Sequence, residues 1–522
     1  MTGTSNSGRT HNAKRNIIYG FLQVMSSRIL PFITRTILIY RFGVDYLGLN
    51  SLFTSVLSVL SLMELGFGTA IVYSMYKPVA ENDSDRICAY LSYYRKIYRF
   101  IGLVILVSGL ILMPFLKHLV HDPVLPGGLD LYLCYLIFLI DTVISYLLLG
   151  YMRSVPAVYQ RRDILSRVDM LMGLAQCAVK SVLLLVSNNF YLFLISIPAF
   201  TVLRNLVTAY SVRKKYPDLK CKGKLSIEEK RELNRKVHGL MIDKVTAVSR
   251  NSIDTLCISS FIGLSMTGMY NNYYFVMIGI AGFSNMLLES MRAGVGNSIA
   301  VESREKNYAD MRLFDFIYTG AAGWVVACML CLYRPFIQVW LGERMMPDIP
   351  VVIGLCAYFY ILRSGDIRYL YHEGRGLWYE SRFIMIGEAV ANIILNIVLC
   401  RTMGVFGIIL ATVISVFITN YFLCPGILFR VYFRNGKLRE YWTDHLLYTM
   451  TMVITGAIGW LLCEMIVPMS MIARRDIANC ILCLGGRLLI CTVISVSVFW
   501  IVWHRKARYH SAVRWINKVV KA

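Results

Sequence analysis

Apolar residues in this chain come in blocks of about twenty, separated by short polar stretches. Residues 97–116 read IYRFIGLVILVSGLILMPFL, and residues 481–503 read ILCLGGRLLICTVISVSVFWIVW. A helix of about 20 residues crosses the hydrocarbon core of a bilayer. In lipid every backbone polar group has to be paired within the segment, so the helix is the default spanning form. The short alternating segments expected of a transmembrane β-barrel do not occur. Blocks of this kind fall near 17–40, 47–77, 97–116, 131–152, 168–186, 190–212, 238–262, 270–297, 313–333, 351–371, 383–400, 404–428, 444–467 and 481–503. The pattern predicts an all-α polytopic membrane protein with about 14 transmembrane helices. The first block contains Arg28, Pro31 and Arg35 and precedes no small-residue cleavage site, so it reads as a retained helix and not a signal peptide.

Composition agrees. Of 522 residues, 57% are hydrophobic and 16% charged, too few polar groups to cover a soluble protein of this size. The net charge of +23 is distributed unevenly. With the N-terminus inside, inner segments hold 35 Lys and Arg, outer loops 7, and the spans the remaining 12 of 54. This is the positive-inside asymmetry, and it places both termini in the cytoplasm of a plasma (inner) membrane protein. It also accounts for the charge without nucleic acid: the basic run from Arg213 to Lys236 has no aromatic platform or binding motif beside it.

A sparse internal repeat recurs at an offset of about 220 residues. FGVDYLGLN (42–50) lies against IGLSMTGMY (262–270), pairing Gly43 with Gly263 and Gly48 with Gly268; Met113–Phe115 meets Arg334–Phe336 at 221. The organisation expected is an N-lobe of six helices (1–212), a cytoplasmic inter-lobe loop (213–237), a C-lobe of six helices (238–428), an additional helix pair (429–503) and a basic amphipathic cytoplasmic tail (504–522). Repeats with an even number of spans are related by an axis along the membrane normal, with a substrate site near the midplane between them. The tail puts Tyr509, Ala512, Val513, Ile516, Val519 and Val520 on one helical face, which suits the inner membrane surface.

Nucleotide-driven chemistry finds no motif: G-x-x-x-x-G-K-[ST], H-E-x-x-H and the dinucleotide glycine fingerprint are absent from the sequence. Asp83-Ser-Asp85 spells D-x-D with no sugar-nucleotide domain around it and reads as a solvated inner loop. The C-x-x-C spacings Cys328/Cys331 and Cys480/Cys483 have no His or second Cys pair near them in sequence and read as small buried hydrophobes. Charges inside the spans are more informative, because a basic residue at a helix centre costs roughly 2.5–3.5 kcal/mol and usually faces water or a partner. Arg28 lies mid-span in the first helix with Arg35 two turns outward; Arg250 lies mid-span in the seventh with Asp254 one turn on and Lys244 nearer the cytoplasm. Further candidates are Glu64, Asp141, Lys180, Glu289, Arg292, Arg363, Asp366 and Glu388. At the repeat offset Arg28 aligns with Val248, close to Arg250, so the two arginines stand at similar depth in equivalent helices. Paired guanidinium forks suit an anion with several oxygens, such as the pyrophosphate of a lipid.

The stretch GLNSLFTSVLSVLSLMELGFGTAIVYSMYKPVAENDSDRI (48–87), followed by YYRKIYR (93–99), resembles the N-terminal region of bacterial polysaccharide flippases of the multidrug/oligosaccharidyl-lipid/polysaccharide exporter superfamily. The resemblance implies two MATE-like six-helix lobes plus a C-terminal pair. It also implies movement of an undecaprenyl-pyrophosphate-linked oligosaccharide from inner to outer leaflet by alternating access, not an enzyme activity. In that reading Arg28, Arg35 and Arg250 line a cationic cavity with Lys244, Asp254 and Glu64, and the last helix pair holds the lipid tail. No cofactor is implied, and the coupling ion is open because Glu64 adds a negative charge in the second span. Partners are the lipid-linked oligosaccharide, membrane lipids and other polysaccharide-assembly proteins. The competing readings are a glycosyltransferase or polymerase of the same pathway, disfavoured by short outer loops, and a cation-coupled drug exporter of the same superfamily, which would favour acidic residues in its cavity.

Topology is open to direct measurement. Cysteines introduced into the 213–236 loop should resist a membrane-impermeant thiol reagent in intact cells and react after permeabilisation; strong labelling of intact cells would reverse the orientation.

Overall fold

The computed structural model describes residues 6–521 apart from 65, 123–124, 435–436 and 473–475, and leaves out the side chains of some further helical positions, Lys244 among them. The chain divides into two compact units, residues 1–269 and 270–522. Among the described residues the secondary structure is helical throughout, with no strand.

The first unit holds α1 (Asn6–Phe42), α2 (Val44–Leu60), α3 (Phe67–Ala80), α4 (Ser84–Leu112), α5 (Leu131–Leu147), α6 (Ser154–Val158), α7 (Arg162–Val186), α8 (Phe190–Lys215), α9 (Ile227–Phe261) and the start of α10 (Leu264–Val301). The second holds the rest of α10, then α11 (Arg304–Leu341), α12 (Ile349–Ser364), α13 (Asp366–Gly374), α14 (Trp378–Val416), α15 (Cys424–Leu428), α16 (Leu438–Ile466), α17 (Ile477–Trp503) and α18 (Ala507–Lys521).

By length and composition nine of the described helical segments can cross a membrane, or ten if the pair Leu131–Leu147 and Gly150–Val158, bent by 58°, is one span. The chain is a multi-pass membrane protein. The remaining expected crossings fall where charge or length interrupts the apolar signal. α1 and α9 carry polar residues through their first turns, and α2 has 17 residues before the 3-10 turn Ser61–Glu64. The 56-residue helical stretch Trp378–Phe433 corresponds to two expected spans; Gly404, at φ 59° and ψ −137°, breaks it at their junction.

Caps define several helix ends. Asp83 accepts from the backbone N–H of Arg86 at 2.9 Å, so the D-x-D sequence begins α4 as a helix cap. At the start of α9, Ser226 and Glu229 form a reciprocal capping box, and Arg86 Nε donates to the Glu229 carboxylate at 2.8 Å. Asp122 accepts from the backbone N–H of Leu264 at 2.7 Å at the start of α10, while Ser259 Oγ donates to the Leu119 carbonyl at 2.7 Å.

Two glycines set how closely α2 and α10 approach. A Cβ on Gly48 would lie 2.0 Å from the Leu264 carbonyl oxygen, and one on Gly268 would lie 2.3 Å from that of Val44. Both obstacles are backbone, so no rotamer relieves them. These are the glycines that the repeat pairs with each other, and here they touch. Lipid is as apolar as the helix surface, so tight association rests on packing at small residues.

In the second unit, polar contacts tie the late helices to α11. Arg312 reaches Glu440 at 2.5 Å and Asp444 at 2.8 Å, and Arg508 of α18 reaches the same Asp444 at 2.6 Å. Asp315 pairs with His445 at 2.9 Å. The apolar face of α18 packs Tyr509 and Ala512 into a cluster with Phe316, Tyr448 and Trp503, and Trp515 meets Phe314 at 5.5 Å between ring centroids. The side chains of Val519 and Val520 lie outside the described residues.

Two predictions follow from these contacts. Gly48→Ala and Gly268→Ala should each lower the melting temperature of the purified protein by several degrees, since overpacking costs typically about 1–3 kcal/mol. Gly387→Ala, where a Cβ meets nothing within 4 Å, should not. Equal melting temperatures for all three variants would show the α2–α10 approach to be loose. The second concerns pH. Burial pushes the Glu229 carboxyl up, but the hydrogen bonds from Ser226 and the Arg86 guanidinium outweigh it and hold the group below its ordinary value of 4.5. A depressed carboxylate stabilises the folded state above its ordinary pKa and loses that contribution as pH falls through the lowered value. Glu229→Gln should therefore be less stable than the parent at neutral pH, with the gap closing in acid; a constant gap would mean the carboxylate charge is not involved.

Candidate functional site

The first unit encloses a polar cavity of about 530 Å³. One wall is α1, which presents Gln23, Ser27, Leu30, Pro31, Thr34, Arg35 and Leu38 at helical spacing. The facing wall is α7, with Asp169, Gly173, Gln176, Cys177 and Lys180, again four or so residues apart. Arg204 and Phe193 of α8, Leu47 and Asn50 of α2, and Arg153 complete it. Arg153 lies in the 3-10 turn Gly150–Arg153, inside the bent segment after α5, and that bend brings it to the cavity.

The cavity is held open between two anchored ends of α1. At one end Asn16 Nδ2 donates to the Gln160 carbonyl at 2.8 Å, the Asp163 backbone N–H donates to Asn16 Oδ1 at 2.8 Å, and Arg15 pairs with Asp163 at 3.1 Å. At the other, Arg41 donates to the Leu185 carbonyl at 3.2 Å and to Asn188 at 3.3 Å. Between them α1 and α7 approach closely at Gly173, where a Cβ would stand 3.5 Å from Leu30. Pro31 lacks the N–H that would bond the Ser27 carbonyl, which leaves a backbone acceptor on the cavity wall.

Cations dominate the lining: Arg35, Arg153, Lys180 and Arg204 against one carboxylate, Asp169. Asp169 is already engaged, accepting from Arg153 through two bonds of 3.0 and 2.7 Å, with Arg204 Nε at 4.0 Å. Arg204 also donates to Gln176 at 3.2 Å. Lys180 Nζ lies 5.3 Å from the centroid of the Phe193 ring, a weak cation–π contact. Among the lining residues four positive groups stand against one carboxylate, and Asp141, outside the lining, interacts with Lys180 and Arg204. Such a wall attracts an oxyanion, and the arginine forks can grip it bidentately.

Of the residues singled out in sequence, Arg35 and Lys180 line this cavity. Arg28 is half-buried one face away on α1, outside the lining, with its Nε unbonded. Arg250 and Asp254 lie on α9, Asp254 fully buried, and neither lines the cavity. The side chain of Lys244 lies outside the described residues. Glu64 ends the 3-10 turn after α2 and accepts from the hydroxyls of Tyr98 at 2.7 Å and Tyr146 at 2.8 Å, with Tyr94 donating in turn to Tyr98 at 2.9 Å. A carboxylate inside a bilayer is here met by phenol donors. The second-unit candidates are paired locally: Arg363 with Asp366 at 3.0 Å and Asn285 at 2.7 Å, Arg292 with Glu289 at 3.0 Å and with Glu373, and Glu388 with Thr419 at 2.7 Å.

Sequence reasoning did not select Arg153, Asp169 or Arg204. Arg153 falls just past an expected span and counts as an inner-loop charge; its partner Asp169 is 16 residues on. Arg204 was legible as a span charge, and α8's apolar residues on both sides were the signal.

The second unit has a larger, apolar groove of about 720 Å³ formed by α11, α16, α17 and α18, walled by Phe316, Trp324, Tyr448, Phe499 and Trp503.

No protein-family model and no curated protein sequence matches the chain. Solved structures do. A lipid II flippase, MurJ, in an inward closed conformation is similar over 94% of this chain and 99% of its own, with TM-score 0.66 and 14% identity. An inward-facing multidrug resistance MATE family transporter of the MOP superfamily is similar over 78% of this chain and 96% of its own, with TM-score 0.59 and 12% identity. The Vibrio cholerae MATE transporter VcmN is similar over 80% and 96%, with TM-score 0.54 and 12% identity. At such identities the likeness is one of fold: this chain has the all-α transporter fold of the MATE and MurJ structures.

Proposed function

We propose that the chain is a membrane transporter and not an enzyme: a flippase that carries an anionic lipid-linked oligosaccharide, with an undecaprenyl pyrophosphate anchor, from the inner to the outer leaflet of a bacterial plasma membrane by alternating access. One observation carries the reading, the polar cavity with four cations and one engaged carboxylate. Buried cations in that excess are costly without water or an anion. A basic cavity raises the local concentration of an anionic headgroup, and binding energy that differs between conformations shifts their populations. Arg35 and Arg204 grip the pyrophosphate, with Arg28, Lys244 and Arg250 extending the positive field along its path. Glu64 and Asp254 shape the local charge. The apolar groove between α11 and the last helices suits the lipid tail. A drug exporter for organic cations would need the opposite sign of charge at this cavity. A glycosyltransferase or polymerase would need a catalytic domain for which the short outer loops leave no room.

The test is surface polysaccharide in a deletion strain complemented with variants at matched protein levels. A charge-assisted hydrogen bond contributes about 1.5–3 kcal/mol, so Arg35→Gln and Arg204→Gln should each lower export at least about tenfold, and the double variant should abolish it. Lysine at either position should rescue only in part, because it lacks the planar fork. Full export by the double variant would remove the cavity from the transport path, and sugar transfer or efflux of a cationic dye by the purified protein would favour one of the other readings.

A further inference from the structure

Fourteen cysteines are spread along the chain, and three of them, from three different helices, meet inside the second unit. Cys331 of α11, Cys463 of α16 and Cys491 of α17 are 1%, 0% and 0% exposed. Their Sγ atoms all lie within 4.8 Å of one another, and those of Cys463 and Cys491 are 3.7 Å apart. Cys328, one turn before Cys331, packs against the trio. The spacing of Cys328 and Cys331 in sequence has no second pair beside it; the fold supplies the other two sulfurs from residues 132 and 160 positions further on.

Thiols can simply fill a core, but this arrangement has three features that filling does not need. The sulfurs converge: a metal–sulfur bond of about 2.3 Å in a trigonal plane sets sulfur–sulfur edges of roughly 4.0 Å, and here the Cys463–Cys491 edge is 3.7 Å and the other two lie within 4.8 Å. Cys463 reaches the Arg487 carbonyl at 3.7 Å and Cys491 the Ala327 carbonyl at 3.9 Å, weak S–H bonds whose protons a soft metal can replace. Gly459, one turn before Cys463, leaves a side of the cluster uncrowded, since even a Cβ there would stand 3.7 Å from Cys331 Sγ and 3.9 Å from Cys491 Sγ. Beside the cluster sits Arg487, 1% exposed, whose guanidinium donates to the Cys331 carbonyl at 3.0 Å, the Val467 carbonyl at 2.9 Å and Glu464 at 2.9 Å.

We propose that Cys331, Cys463 and Cys491 form a three-coordinate site for copper(I), a soft monovalent ion, which ties α11 to the α16–α17 pair. Soft thiolates select copper(I) or zinc over hard cations. Zinc takes four ligands in closed sites; among the described residues three sulfurs lie within 4.8 Å of one another, and Cys328 touches Cys491 without joining that set. On binding, two S–H groups lose their protons and the third sulfur binds as a thiol. Two protons leave, copper stays in its +1 state, and the site carries one net negative charge beside the Arg487 guanidinium. The ion then adds a crosslink among three helices that Arg487 and the Trp324–Thr492 hydrogen bond already join.

The experiment uses the purified full-length chain, reduced and metal-free, titrated against the copper(I)–bicinchoninate complex. The chain should withdraw one equivalent of copper, and X-ray absorption of the product should report a shell of three sulfurs. Cys331→Ser, Cys463→Ser and Cys491→Ser should each weaken uptake by at least the roughly 100-fold that loss of an outer partner can cost a metal site, while Cys221→Ser should not change it. Copper should also raise the melting temperature of the parent chain, a readout that does not depend on any variant folding. Absence of uptake and of thermal stabilisation in the folded parent, or unchanged uptake by a folded triple-serine variant, would overturn the proposal.

Discussion

A guanidinium at the depth of the hydrocarbon costs several kcal/mol unless something meets it, and much of this structure follows from how each such charge is met. Arg363 has Asp366 and Asn285 within reach. Arg368, 1% exposed, donates to the Asn420 carbonyl at 2.9 Å and to its side chain. Arg487 spans two carbonyls and a carboxylate. In all three the terminal guanidinium nitrogens are met by neighbouring oxygens. The cavity of the first unit differs: Arg35, Arg153, Lys180 and Arg204 line one space with a single carboxylate, Asp169, which Arg153 engages, and Asp141 interacts with Lys180 and Arg204 from outside the lining.

That difference separates charges met one by one by their neighbours from charges gathered around a cavity. A saturated cation rigidifies helices, because breaking one contact leaves an uncompensated charge behind. Gathering cations around a cavity is costly without water or an anion beside them. The Glu64 network shows the first kind with the sign reversed: three tyrosines surround one carboxylate by direct and relayed hydrogen bonds, and the group is tied into the packing of α4 and α5.

Helix packing here cannot lean on the hydrophobic effect, since lipid competes equally for apolar surface. The contacts that hold the helices are therefore backbone approaches at glycine, caps donated by loops, and short polar ties. Gly48 and Gly268 admit a neighbouring carbonyl; Asp122 caps α10 across the turn that follows α9; Arg508 secures α18 through Asp444. The apolar groove beside α18 and the polar cavity beside α1 offer surfaces of opposite character, each within its own unit.

The sequence alone determined that the chain is helical and membrane-embedded, because hydrophobic block length and the demand for internal backbone pairing are local properties. It also exposed Arg35 and Lys180 as charges out of place among apolar neighbours. It pointed first to Arg28 and Arg250, and to Glu64 among the other span charges, since sequence distance along one helix says nothing about which way that helix is rotated. Tertiary structure decided that Arg35 faces Asp169, Gln176 and Arg204 while Arg28 does not line the cavity, that Arg153 is brought in by a bend after α5, and that Glu64 belongs to tyrosines. It likewise decided that thiols far apart in the chain share one point in space. The reason is the same in each case: a side chain's environment is set by the rotation and crossing of several helices together, and no local stretch of sequence encodes that.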